Sequence, residues 1–115
     1  MNLAKRIVEV LEKHDINLLS TEKQNGEYIT EMEFYSNAGE DFVFDVWHDR
    51  TTKSFVDAFE VYANDFDPDE HAEMWLENRG KGGCPTSIRA LIDDADGIAE
   101  KLTTISTELN TVYYR

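Results

Sequence analysis

The sequence has one cysteine, Cys84, and two prolines, Pro68 and Pro85. A single thiol cannot close an intramolecular disulfide, so the fold must rest on its apolar core. Bases are scarce as well: 11 Lys and Arg stand against 24 Asp and Glu, a formal charge of −13 at pH 7. Nucleic-acid affinity depends largely on Lys and Arg neutralising phosphates, so this balance speaks against direct nucleic acid binding. No apolar run approaches the roughly 18 residues that a membrane span needs. Met1-Asn2-Leu3-Ala4-Lys5-Arg6 leads straight into an amphipathic pattern rather than a signal peptide. A cytoplasmic protein with no membrane partner is the expectation. His14, His48 and His71 lie far apart, and with one Cys they give no metal-ligand spacing such as C-x2-C or H-x3-H. Neither a metal nor a cofactor is expected.

What is present suits one small domain. A chain of 115 residues buries roughly two thirds of its unfolded surface, enough for one core without metal or disulfide. No repeat or interdomain linker interrupts residues 1–115, which read as a single α+β domain. The acids are segregated. Residues 1–26 hold four acids and four bases, and residues 79–115 hold five of each. The middle, 27–78, carries the other 15 acids with only Arg50 and Lys53, so the whole net charge resides there. Such segregation suggests a charged functional surface.

Leu3, Ile7, Val10 and Leu11 recur at helical spacing up to His14-Asp15 and predict a first helix. Ile16 to Thr21 can then extend, and Gln24-Asn25-Gly26 carries the Asn-Gly signal of a hairpin. In Tyr28 to Tyr35, alternation places Tyr28, Thr30, Met32 and Phe34 toward the core. After the turn Ser36-Asn37-Ala38-Gly39, the residues Phe42, Phe44, Val46 and His48 do the same. Thr51 to Ser54 can cap a helix with the stripe Phe55, Phe59, Tyr62, Ala63 and Phe66. Asp67-Pro68-Asp69-Glu70 predicts another helix start, with Asp67 as N-cap and Glu70 completing a capping box. That helix should bury Ala72, Trp75 and Leu76. Arg79-Gly80-Lys81-Gly82-Gly83-Cys84-Pro85 is a break. Beyond it, Ile88, Leu91, Ala95, Ile98, Leu102, Ile105, Leu109 and Val112 form the seam of a long helix, within which Gly97 marks a bend or a close helix contact. The expected architecture is a helix, a three-stranded antiparallel sheet, two short acidic helices, and a long C-terminal helix packed on the sheet. The first five elements share the order of double-stranded RNA-binding domains. Those use a basic helix start to hold phosphates, whereas residues 54–78 here hold eight acids and no base.

Catalytic and ion-binding patterns are each incomplete. Asp65-x-Asp67-x-Asp69 imitates the opening of an EF-hand loop, but Glu70 stands where Gly is needed and Leu76 where the bidentate Glu belongs. Cys84 and Arg89 form C-x4-R, one residue short of a phosphatase loop, and Gly80-Lys81-Gly82-Gly83 lacks the order of a P-loop. A weak anion site at the Gly80–Cys84 loop stays open as an alternative to a plain helix connection. His48, at the end of a core-facing row, is expected at the rim. No pair of carboxylates is selected as acid and base, so the chain is expected not to be an enzyme.

A surface remains. A tight hairpin at residues 36–40 would set Glu31 beside Asp45 and Ile29 beside Trp47 on the non-core face, which with Tyr35 and Val43 interleaves apolar groups with acids. Like charges directly opposite destabilise a sheet, so their presence invites a reason. The alternative is that the long helix covers the aromatics and leaves the acids at its margin. The expected acidic binding surface comprises Glu31, Glu33 and Asp45 on strands and Asp57, Glu60, Glu70, Glu73 and Glu77 on helices.

The stretches Glu33-Phe34-Tyr35-Ser36-Asn37-Ala38-Gly39-Glu40-Asp41, Tyr62-Ala63-Asn64-Asp65-Phe66-Asp67-Pro68-Asp69-Glu70-His71-Ala72 and Arg79-Gly80-Lys81-Gly82-Gly83-Cys84-Pro85 resemble small acidic proteins of bacterial conjugative and phage-derived elements. In size and charge the chain is also similar to antirestriction and anti-CRISPR proteins that mimic DNA. That resemblance implies a basic protein partner, such as a nucleic-acid-binding defence enzyme. A structural or accessory protein that forms a homodimer through the C-terminal helix, its acidity serving solubility, is the alternative.

Overall fold

The computed structural model describes residues 3–77 and 88–114. Its elements run α1 (Lys5–Lys13), β1 (Asn17–Gln24), β2 (Glu27–Tyr35), β3 (Asp41–His48), α2 (Thr52–Asp65), α3 (Pro68–Glu77) and α4 (Ile88–Tyr113). The strands form one antiparallel sheet in the order β1-β2-β3. This is an α+β fold whose helices cover one face of the sheet. No described helix is long and apolar enough to cross a membrane.

Local chemistry explains most element boundaries. α1 ends where Asp15 adopts the left-handed conformation (φ 59°), with Asp15 N–H donating to Glu12 O and Ile16 N–H to Leu11 O. This is the Schellman pattern, with Asp15 where glycine is usual. Ile16 is thereby used in the helix stop and buried, so β1 begins at Asn17, one residue later than the expected start at Ile16. It also runs beyond Thr21 to Gln24. Asn25 and Gly26 both take positive φ, 52° and 84°, the geometry of a two-residue hairpin turn that lets pairing continue to Gln24 opposite Glu27. α2 starts at Thr51, whose hydroxyl oxygen accepts from Ser54 N–H at 3.1 Å. At α3 the Asp67 carboxylate accepts from the N–H groups of Asp69 (3.0 Å) and Glu70 (3.3 Å). The reciprocal bond from the Glu70 side chain is absent among the described residues, so only half of the capping box forms.

The core lies between the sheet and α1, α2 and α4. Met32, Phe34, Phe42, Phe44 and Val46 point into it from the strands, and Ile7, Leu11, Phe55, Phe59, Ile98, Leu102, Ile105 and Leu109 meet them from the helices. Rings carry much of the contact: Phe44 stacks on Tyr62 with centroids 5.0 Å apart and meets Phe59 edge-on at 5.9 Å. Each such aromatic contact adds about 0.5–1.5 kcal/mol beyond burial itself. The seam of α4 from Leu91 to Leu109 is therefore buried within its own subunit. Ala72 joins Leu91 and Ala95 in a smaller cluster that holds α3 to α4.

Two expectations need correction. His48 is not at a rim but buried, with Nε2 2.7 Å from the Thr30 hydroxyl and Nδ1 2.6 Å from the Asp49 carbonyl. A carbonyl only accepts, so Nδ1 carries a hydrogen. In the neutral ring Nε2 then accepts from Thr30, whose oxygen lies 3.1 Å from that of Thr21. Among the described residues Gly97 approaches no second helix; a Cβ there would lie 3.0 Å from the side-chain amide nitrogen of Asn37, in the β2–β3 turn. The expectations for Arg79 to Pro85, including Cys84, lie outside the described residues, as do those for the side chains of Trp75, Leu76, Glu77 and Ile88.

Candidate functional site

Pairing register fixes which side chains share the outer sheet face. Ile29 opposes Trp47, Glu31 opposes Asp45, Glu33 opposes Val43 and Tyr35 opposes Asp41. On the other flank Glu22 opposes Ile29, Ser20 opposes Glu31 and Asn17 opposes Glu33. Because side chains alternate along a strand and the inner set fills the core, all of these project away from the helices. No described helix lies over them: Tyr35 is 62% exposed, Trp47 50% and Val43 45%. The long helix packs on the opposite face, so it does not cover the aromatics.

The face is chemically one-sided. It carries Glu22, Glu27, Glu31, Glu33, Asp41 and Asp45 and, among the described residues, no Lys or Arg, since Lys23 opposes Tyr28 on the inner side. Side chains directly opposite in an antiparallel pair have Cβ atoms about 4.5–5.5 Å apart, so Glu31 and Asp45 face each other at close range. Among the described residues the only side-chain bond to these acids is from the Asn17 amide to Glu33 Oε1, at 3.3 Å. Asp45 also acts through the edge of the sheet: burial, and then the Asp45 charge, push the Tyr62 hydroxyl up to about 12.

The other expected acids lie elsewhere. α2 packs beneath β3 through Phe59 and Tyr62, so Asp57 and Glu60 belong to the helical layer, on the far side of the sheet. Asp57 is already paired. Lys53 Nζ lies 2.8 Å from it and the Tyr114 hydroxyl donates to it at 2.5 Å, and these bonds hold its carboxyl below the usual range, the Lys53 bond contributing most. Glu60 sits beside Asn64 and the Thr103 and Asn110 side of α4. Glu70 and Glu73 are exposed on α3. The structure thus brings together Glu31, Glu33 and Asp45, and does not bring Asp57 or Glu60 to them.

Further acids had no distinguishing signal in the sequence. Asp41 and Glu22 join the open face through register alone. Asp94 is buried in α4, where its carboxylate accepts from the Ser36 hydroxyl at 2.6 Å and the Ala38 N–H at 2.8 Å. Ser36 Oγ in turn accepts from Glu40 N–H at 2.9 Å. This tether holds the β2–β3 turn, and with it the register that assembles the face. Glu40, only 7% exposed, lies 2.9 Å from His71 Nε2 and fixes α3 to the same turn.

Among the described residues no group of three or more His, Cys, Asp or Glu side chains is placed to hold a metal ion. No protein-family model, curated protein or solved structure matches the chain. The geometry of the open face therefore carries the functional argument.

Proposed function

We propose that this chain is a non-enzymatic protein-binding module whose open sheet face docks on a basic partner, in the manner of a DNA mimic occupying the nucleic-acid site of a defence enzyme. One observation carries the reading: a face without any base sets Glu31 opposite Asp45 and leaves Tyr35, Val43 and Trp47 exposed beside them. Opposed carboxylates cost a free sheet up to about 1 kcal/mol, a cost that a cationic partner reverses. Exposed Trp and Tyr are the residue types that most often anchor an interface. Stacking two copies of this face would instead oppose acid to acid.

Size sets a condition. Three strands and eight residues give a face about 14 Å by about 25 Å, less than the roughly 800 Å² that each side of a standard interface buries. The partner must also reach a sheet edge or neighbouring helix.

Affinity capture from the source cells at low and high salt tests the proposal. The expected result is a basic nucleic-acid-binding protein that salt releases and that Glu31→Gln/Glu33→Gln/Asp45→Asn fails to retain. Equal capture by the parent and this variant would refute it.

A further inference from the structure

Among the described residues β3 is a free edge of the sheet: it pairs only with β2, and nothing hydrogen-bonds to the backbone groups of Asp41 to His48 that point away from β2. The other edge is different. β1 is interrupted by a bulge between Leu18 and Ser20, a feature that spoils further pairing, whereas the β3 register is regular over eight residues.

Alongside the β3 edge, toward the junction of α2 and α3, runs a cleft of about 520 Å³. Phe42, Tyr62 and Phe66 are among the residues that line it, and no Lys or Arg does so among the described residues. Its carboxylates include Asp41, Asp65 and Glu70, which have no hydrogen-bond or ion-pair partner among the described residues, unlike Glu40, held by His71, and Asp67, which caps α3. Aromatic faces beside unneutralised carboxylates form a complementary environment for guanidinium or ammonium groups.

Resting on the basic-partner reading, we propose that an extended cationic segment of the partner adds to the sheet as a fourth strand on the β3 edge. Its backbone pairs with Asp41 to His48. Alternate side chains, about 6.6 Å apart along the strand, place Arg or Lys in the cleft between Phe66, Asp65 and Glu70. Backbone pairing supplies affinity and the acidic cleft selects charge at every second position. This extends the contact beyond the open face, as its size requires.

The probe is a fluorescein-labelled octapeptide of alternating Arg and Thr, with two derivatives, one N-methylated at every Arg and one at every Thr. Fluorescence polarisation is read at about 0.15 M salt, where screening limits charge interactions to about 8 Å, so distant charges contribute little. Methylation on the pairing edge should weaken binding at least tenfold, while methylation on the other edge changes it less than twofold. Asp65→Asn/Glu70→Gln should weaken the parent peptide at least fivefold, with an unchanged melting profile. Absence of binding at millimolar peptide, or equal behaviour of the two methylated peptides, would overturn strand addition. Glu31→Gln/Glu33→Gln separates the two surfaces: peptide affinity should move less than twofold, whereas capture of the partner should fall. If the peptide fails while this variant still loses the partner, the edge proposal alone is wrong; if the peptide behaves as expected and the partner is retained, the open-face reading is wrong.

Discussion

Leu102→Ala probes the relation between the long helix and the sheet. Leu102 is fully buried near the middle of α4, in one core with Ile98, Ile105 and Leu109 from its own helix and with Phe34 and Phe44 from the strands. Truncation removes three carbons from a close-packed site that can relax only partly, so the lost transfer free energy and the residual cavity together should cost about 2–5 kcal/mol. At roughly 4 °C per kcal/mol for a domain of this size, the melting temperature should fall by about 8–20 °C. Thermal unfolding followed by far-ultraviolet circular dichroism reads the change, and light scattering after size exclusion reads the mass of both proteins. If the parent were a dimer and Leu102→Ala a folded monomer with less than about 1 kcal/mol lost, the seam would belong to an interface and the single-chain core would be refuted.

Gly97→Ala should be neutral or stabilising by up to about 1 kcal/mol, because alanine favours the helix and the atom it would meet, Asn37 Nδ2, ends an exposed side chain that can swing aside; a loss above 1 kcal/mol in urea unfolding would show the turn to be rigid there. Asp94→Ala should destabilise by about 1–3 kcal/mol, since the Ala38 N–H and Ser36 hydroxyl lose a charged acceptor, and an unchanged urea midpoint would mean that the tether contributes nothing. Hydrogen bonds from His14 first, and then Lys13, hold the Glu108 carboxyl below its usual 4.5. A depressed folded value means that this stabilisation is complete above pH 4.5 and is lost as pH falls through the lower folded value. Glu108→Gln should therefore remove part of the parent's loss of stability on acidification over that window, and superimposable stability–pH curves for the two proteins would contradict the pairing.

Much of the fold was legible because its signals are local and periodic. The alternation Phe42, Phe44, Val46, His48, the Asn25-Gly26 turn and the seam from Leu91 to Leu109 each specify an element and its buried side without reference to the rest of the chain. Register followed from turn length, which is why Glu31 opposite Asp45 could be anticipated. What escaped depends on partners distant in sequence. Glu40 sits in an acidic run and gives no sign of burial until His71, 31 residues on, is folded against it. Asp94 resembles its neighbours Asp93 and Asp96 until the β2–β3 turn docks on α4. His48 looked marginal because its row ends there, but the hydroxyl of Thr30 and the Asp49 carbonyl satisfy both ring nitrogens and permit burial. The division of the acids was equally hidden, since helical spacing says which residues of α2 are exposed but not which side of the sheet α2 occupies.

If charge on the open sheet face draws in a basic partner, it sets the association rate constant with that captured partner. Surface plasmon resonance over a salt series should show Glu31→Gln/Glu33→Gln/Asp45→Asn associating about tenfold more slowly than the parent at low salt, with the two rates converging as salt screens the field. Equal association rates at low salt would mean that the acids of this face are only a solvated surface.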